Sequence, residues 1–173
     1  MGVLIQPLLP AECAGVCFSV DPVQQRRDLI VVTAAWGLGV GVVDGVVAVD
    51  TAWVQRENFR PDRQQINEKP VQMTLDAAGN LQLTPVIAER QRAACLPAEW
   101  LTRVAQFAVA AEVTLGAPQD VEWAIADGQF WLLQSRPLTG LSPELARTTP
   151  FPVTWTSAAE ARLLWQRPPK DEV

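Results

Sequence analysis

The strongest periodicity in the sequence is helical and lies in one stretch, between Pro97 and Gly116. Proline suits the first turn of a helix, and glycine suits the position just after its end. Apolar side chains in this stretch recur at steps of three and four residues, on one predicted face: Trp100, Leu101, Val104, Phe107, Ala108, Ala111 and Leu115. The other apolar runs are short and rich in β-branched residues, which is typical of strands. The sequence therefore predicts an α+β fold, with a mostly antiparallel sheet covered by one long helix.

The strands are predicted from short apolar runs and from the turn residues between them. We expect strands over 3–9, 15–20, 29–35 and 46–56, and β-hairpins over 71–86 and around Asp127-Gly128. The polar stretch 57–70 is predicted to be a loop.

Proline content changes near the end of the chain. Five of the 34 residues after Thr139 are proline. We therefore expect a domain over 1–140 and a proline-rich tail or linker over 141–173, in which 156–167 has the composition of a short helix.

Charge and cysteine content exclude several classes of protein. The 173-residue chain has 14 basic and 19 acidic residues, and a net charge of −5 argues against nucleic-acid binding. No apolar run approaches the about 18 residues of a membrane helix, and the first residues lack the basic region of a signal peptide. Cys13, Cys17 and Cys95 form no CxxC motif, and Cys13 and Cys17 are predicted to be small buried fillers. We expect a cytoplasmic protein with no membrane partner.

The absence of histidine restricts the chemistry of the chain. It excludes a Ser-His-Asp triad, a Cys-His pair, a histidine-ligated zinc site and a phosphohistidine within this sequence. Any chemistry must use carboxylates, amides, lysine, arginine and the backbone. Oxygen ligands of this kind suit Mg²⁺ and bound phosphates better than transition metals.

The densest polar set in the sequence lies in the second predicted hairpin and comprises Asp120, Glu122, Gln134 and Arg136. A carboxylate and a carboxamide on adjacent strands can offer oxygens to Mg²⁺, and an arginine two residues further on can reach phosphates. The alternative is that these residues form only the solvated face of a hairpin.

Loop length decides whether this polar set can form one site, because paired residues of a hairpin share a face. A two-residue Asp127-Gly128 loop would pair Glu122 with Leu133 and place Gln134 on the opposite face. A three-residue loop, 126–128, with a G1 bulge would place Glu122, Gln134 and Arg136 together. It would also place Trp131 and Leu133 on the apolar face, with Phe130 as the exception. We therefore predict the three-residue bulged loop.

The stretch Trp36 to Gly45, WGLGVGVVDG, contains four glycines. It is neither a dinucleotide fingerprint nor a Walker A loop. Glycines here allow backbone N–H groups to approach a phosphate, but they serve tight turns equally well, and a turn is favoured.

Three sequence blocks together resemble a known family. They are AGVCFSVDP (14–22), AAWGLGVGVVDG (34–45) and GAPQDVEWAIADGQFWLLQSRPLT (116–139). In order and spacing they resemble the ATP-binding domain of the phosphoenolpyruvate synthase, pyruvate phosphate dikinase and rifampicin phosphotransferase family. The resemblance covers about residues 1–140. It implies an ATP-grasp fold, in which two α+β subdomains close on ATP, with this chain similar to the C-terminal half only.

The resemblance also implies roles for four residues. Gln6 in VLIQP matches the hinge-strand glutamine that contacts the nucleotide. Glu122 in VEWA matches the acidic residue that binds Mg-ATP. Gln134 and Arg136 in LQSRP match the glutamine and arginine that hold metal and phosphates. The implied metal ligands are Glu122 and Gln134, the implied catalytic residue is Arg136, and the implied cofactors are Mg²⁺ and ATP.

Several features of the family pattern are missing. The first half of the ATP-grasp domain is absent, as is the separate domain whose histidine carries the phosphoryl group. Val40 stands where the family usually has an acidic residue, and Val49 replaces the proline before Asp50. We therefore expect an incomplete phosphotransferase that needs a partner chain for its first half and a histidine-bearing phosphocarrier domain. The alternatives are a non-catalytic remnant or interaction module, and one half of a split enzyme.

Overall fold

The computed structural model describes residues 6–146 and has an α+β architecture. A six-stranded sheet, a separate two-stranded hairpin and a few helices make up the described part of the chain. The strands are β1 (Cys13–Phe18), β2 (Leu29–Trp36), β3 (Asp50–Gln55), β4 (Pro61–Gln65), β5 (Val71–Leu75), β6 (Leu81–Pro85), β7 (Gln119–Ala126) and β8 (Gln129–Pro137). The helices are α1 (Val40–Val43), α2 (Ala88–Gln91), α3 (Ala98–Leu115) and α4 (Pro143–Ala146).

The large sheet has the strand order β4-β3-β2-β1-β7-β8, and each neighbouring pair is antiparallel. The expected mostly antiparallel sheet is therefore confirmed. The pairing of β1 with β7 brings together strands about 100 residues apart in sequence. Strands β5 and β6 form the hairpin predicted at 71–86, outside the large sheet.

Helix α3 supplies much of the apolar core. Pro97 precedes its first residue, and Gly116 ends it in the left-handed conformation, with φ of 76°. Leu101, Val104 and Ala108 are buried in one cluster with apolar residues of β1, β2, β3 and β7. Leu115 was predicted on the buried face but is exposed, because the helix ends there.

Two regions differ from the sequence-based expectation. Residues 6–9 of the predicted strand 3–9 are not in a strand, and 3–5 lie outside the described residues. The stretch 57–70, predicted to be a loop, contains edge strand β4. Its sequence, PDRQQ, has no apolar alternation because every side chain in it is exposed. The predicted helix at 156–167 lies outside the described residues.

Two buried carboxylates connect the elements. Asp50 accepts hydrogen bonds from the Lys69 ammonium at 2.5 Å and from the Cys95 backbone N–H at 2.9 Å. Glu112 of α3 forms ion pairs with Arg56 at 2.9 Å and Arg27 at 3.0 Å. Burying a charge is costly unless it is paired and hydrogen-bonded, and both carboxylates meet this condition.

Cys13, Cys17 and Cys95 are free and buried, which confirms the predicted burial of Cys13 and Cys17. No helix within residues 6–146 is long and apolar enough to cross a membrane.

Candidate functional site

The β7–β8 hairpin turns through two residues rather than three. Asp127 and Gly128 have φ values of 52° and 65°, as a type I′ turn requires, and Ala126 pairs with Gln129. The predicted three-residue loop is therefore wrong. An Asp-Gly pair accepts two successive positive φ values, and the resulting twist matches that of the strands.

A bulge within β8 replaces the bulge that was expected in the loop. Trp123 pairs with Leu132, but the next residue of β7, Glu122, pairs with Gln134, so Leu133 is the extra residue. Gln134 Nε2 donates a hydrogen bond to Glu122 Oε1 at 3.1 Å. The prediction that Glu122 and Gln134 share a face is confirmed, although a different device achieves it.

The corrected register also reassigns two aromatic residues. Phe130 stacks on Phe107 of α3, with 4.3 Å between ring centroids, and lies near Trp123 at 6.5 Å. It therefore belongs to the core face. Trp131 was predicted on that face, but it pairs with Ala124 on the other face and is 41% exposed.

Arg136 is held beside Glu122 and Gln134 by an ion pair. Its Nε and Nη2 each lie 2.8 Å from Asp120 Oδ2. This hydrogen bond to Asp120 raises the pKa of the guanidinium, which therefore stays charged. The other oxygen, Asp120 Oδ1, is buried and has no hydrogen-bond partner among the described residues. Spacing placed Asp120 in the polar set, but the family resemblance did not single it out.

Asp120, Glu122 and Arg136 line a cleft of about 350 Å³ between the sheet and the segment around α1, whereas Gln134 lies outside the set that lines it. Asp120, Glu122 and Arg136 form its charged part, and two carboxylates against one guanidinium make it net negative. The remaining lining is mostly apolar and consists of Val16, Phe18, Thr33, Val42, Val43, Gly45, Val47 and Val49.

Two glycines of the glycine-rich segment pack closely against neighbouring residues. Gly37 has φ of 80°, and a Cβ atom built there would lie 2.2 Å from the Met73 carbonyl oxygen. A Cβ atom built on Gly41 would be in tight contact with the side chains of Met73 and Val47. Helix α1 is a single turn, and Val43 is exposed on it.

Two residues singled out in the sequence do not join this cluster. Gln6, the first described residue, is exposed and lies outside the set that lines the cleft. Val40 is half-buried on α1 and is also outside that set, whereas Val42 and Val43 line the cleft.

The donor set suits a hard cation. Glu122 and Asp120 provide carboxylate oxygens, one of them unpaired, and Gln134 provides an amide oxygen. Within residues 6–146, no group of three or more His, Cys, Asp or Glu side chains is arranged to hold a metal. A cation at this position would therefore take two carboxylates and an amide, with further ligands from water or phosphate.

Comparison with known families agrees with this geometry. The family described as pyruvate phosphate dikinase, AMP/ATP-binding domain, matches residues 1–152. The chain belongs to this family. The chain is therefore an ATP-binding domain of the phosphoenolpyruvate synthase and dikinase type.

Individual relatives are similar at about one third identity. A probable phosphoenolpyruvate synthase of Methanocaldococcus jannaschii is 35% identical over 141 residues, covering 82% of this chain and 12% of that protein. The prodigiosin synthesizing transferase PigC of Serratia marcescens is 35% identical over 139 residues, covering 80% and 16%. A rifampicin phosphotransferase of Streptomyces sviceus is 32% identical over 143 residues, covering 83% and 16%. The chain spans only 12% to 21% of the length of such relatives.

Proposed function

We propose that the cleft binds Mg-ATP and that the chain is the nucleotide-binding part of a phosphoenolpyruvate synthase-like phosphotransferase. The observation that carries the proposal is the shared face of Glu122, Gln134 and Arg136, which the bulge at Leu133 brings about. Membership of an ATP-binding domain family supports the nucleotide, and the oxygen donors support the metal.

Each side chain has a distinct proposed role. Glu122 and Gln134 hold Mg²⁺, and the buried free oxygen of Asp120 is a further ligand. Arg136 contacts the phosphates: Asp120 occupies two of its five N–H donor directions and orients the rest. When bound, Mg²⁺ would neutralise negative charge on the phosphates during phosphoryl transfer. Gln6 contacts the nucleotide when the two ATP-grasp subdomains close on ATP.

The charge of the cleft indicates that other parts of an enzyme are needed. Two carboxylates and one arginine cannot neutralise a triphosphate without the metal and additional cations. We propose that these cations come from the N-terminal half of an ATP-grasp domain, with this chain as the C-terminal half and α3 as its long covering helix. The phosphoryl acceptor is then a histidine on a separate phosphocarrier domain, because this sequence contains none.

A second candidate function is a non-catalytic module that keeps the fold. The observation that favours it is Val40, at the position where the family usually has an acidic residue. Such a module would keep the β7–β8 hairpin but lose nucleotide binding.

Calorimetric titration with ATP in the presence of Mg²⁺ tests the proposal. We expect weak binding, about millimolar, which corresponds to about 4 kcal/mol. Glu122→Gln keeps the shape of the side chain but removes the charge that holds Mg²⁺, so binding should fall about tenfold or more. Glu57→Gln makes the same change at an exposed site outside the cleft and should leave binding unchanged. No binding by wild type would favour the non-catalytic module, whereas equal affinity in wild type and Glu122→Gln would overturn the assignment of Glu122 as a metal ligand.

A further inference from the structure

The proposed site depends on the pairing register of one edge strand. If β8 had no bulge, the two-residue turn would place Glu122 opposite Leu133. Gln134 and Arg136 would then turn to the opposite face of the hairpin, because side chains alternate along a strand. A slip of one residue in β8 would therefore dismantle the cluster without unfolding the domain.

Burial does little to fix this register. β8 is the edge strand of the sheet, and most of its side chains are exposed on both faces. Leu132 on the core face is 49% exposed, and Trp131 on the open face is 41% exposed. Register is weakly specified where neither face is buried. The ion pair of Arg136 with Asp120 joins an exposed guanidinium to a largely buried carboxylate, so it also favours the observed register.

One hydrogen bond to a buried side chain also distinguishes the two registers. Gln119, the first residue of β7, is fully buried, and its Oε1 accepts a hydrogen bond from Ser135 Oγ at 2.9 Å. The rest of Gln119 is fixed as well: its Nε2 donates to the Ala117 carbonyl at 2.8 Å, and its backbone N–H donates to Ser19 Oγ at 2.9 Å. Its amide oxygen therefore has a set position.

In the slipped register, Ser135 would pair with Asp120 rather than Val121 and would face the open side of the sheet. Gln119 Oε1 would lose the Ser135 hydroxyl, and the charged Arg136 would be brought opposite the buried Gln119 side chain. Exchanging a neutral hydrogen bond for a charged group moved to the core face is unfavourable. The Gln119–Ser135 bond therefore favours the bulged register specifically.

We propose that Gln119 and Ser135 are positioning residues that form a register lock for the phosphate-binding hairpin. Ser135 lies between Gln134 and Arg136 but on the other face, so it positions both without entering the cleft. The functional part of this inference rests on the proposed function, whereas the register itself can be tested independently.

The first test measures the register directly by NMR. In wild type, cross-strand nuclear Overhauser contacts should join Val121 to Ser135 and Asp120 to Arg136. In Ser135→Ala, contacts of the slipped register should appear. They would join Val121 to Gln134, and Asp120 to the substituted residue at position 135. Ser135→Thr keeps the hydroxyl and should keep the wild-type contacts. Thr74→Val removes a cross-strand hydroxyl bond from the β5–β6 hairpin and should leave β7–β8 unchanged.

The second test measures Mg-ATP affinity in the same proteins. Ser135→Ala should bind more weakly than wild type, by the same factor by which the NMR contacts show the bulged register to be depopulated. Ser135→Thr and Thr74→Val should bind as wild type does.

Deletion of Leu133 gives a decisive control. Without this residue, Gln134 would follow Leu132 directly and would face Glu122 in a ladder with no bulge. Ser135→Ala should therefore have no effect on affinity in the Leu133-deleted chain.

The results separate the two proposals. Retention of the native contacts in Ser135→Ala, or an equal loss of affinity in the Leu133-deleted chain, would overturn the register lock. A slipped register with unchanged affinity would overturn the positioning role. Absence of Mg-ATP binding in wild type would overturn the proposed function, while the NMR contacts would still decide whether the lock exists.

Discussion

At the scale of single residues, buried carboxylates determine how distant segments meet. Asp50 lies at the start of β3. One of its carboxylate oxygens accepts a hydrogen bond from the Lys69 ammonium, and the other accepts one from the Cys95 backbone N–H. It thereby joins β3 to the segments before β5 and before α3. The Asp50 and Lys69 side chains are 7% and 1% exposed, so neither charge could be solvated if the other were removed.

This arrangement predicts a large effect of Asp50→Asn on stability. The substitution leaves the Lys69 charge buried without its partner, and we expect the free energy of unfolding to fall by about 3–5 kcal/mol. Urea unfolding followed by circular dichroism measures the change. Asp28→Asn removes an aspartate from an exposed pair with Arg26 and should cost less than about 1 kcal/mol. A small effect of Asp50→Asn would mean that Lys69 finds another partner or water.

At the scale of elements, the β5–β6 hairpin is organised by its turn. The β5–β6 turn is organised by Asp76, whose carboxylate accepts hydrogen bonds from the backbone and side chain of Asn80 and from the backbone of Ala78. The bonds from Asn80 lower the pKa of Asp76. The carboxylate therefore stabilises the hairpin in its ionised form.

The direction of this shift predicts how the hairpin responds to acid. A carboxyl group with a lowered folded pKa contributes its stabilisation above the ordinary value, near 4, and loses it as the pH falls through the folded pKa. We expect cross-strand NMR contacts of β5–β6 to weaken below about pH 4 in wild type. Asp76→Asn should flatten this dependence, and Asn80→Ala should reduce it only partly because the backbone donors remain. An unchanged acid response in Asp76→Asn would contradict the assignment.

At the scale of the whole molecule, the face of the antiparallel sheet opposite α3 extends across all six strands. One row across it contains a residue from each strand: Arg63, Trp53, Val31, Phe18, Asp120 and Arg136. Arg63 stacks on Trp53 at 3.7 Å, so cations lie at both ends of the row. Of the residues that line the cleft in the described chain, Arg136 is the one cation.

This charge distribution leads us to expect that the chain alone does not turn over ATP. Phosphoryl transfer depends on several cationic groups placed around the phosphates, and Arg136 with Mg²⁺ is an incomplete set. A phosphate-release assay on the purified chain should give no rate above background. Hydrolysis that disappears in Glu122→Gln would show that the cleft is catalytically complete.

The sequence by itself determined the α+β class, the helix between Pro97 and Gly116, both hairpins and the family, because periodicity, turn residues and spaced motifs are local signals. It missed β4, whose exposed side chains follow no apolar pattern. It also placed the bulge in the turn of the last hairpin. Only the tertiary structure shows that the bulge lies at Leu133. The register of this exposed edge strand depends on Gln119 and Ser135, whose side chains meet only when β7 and β8 pair.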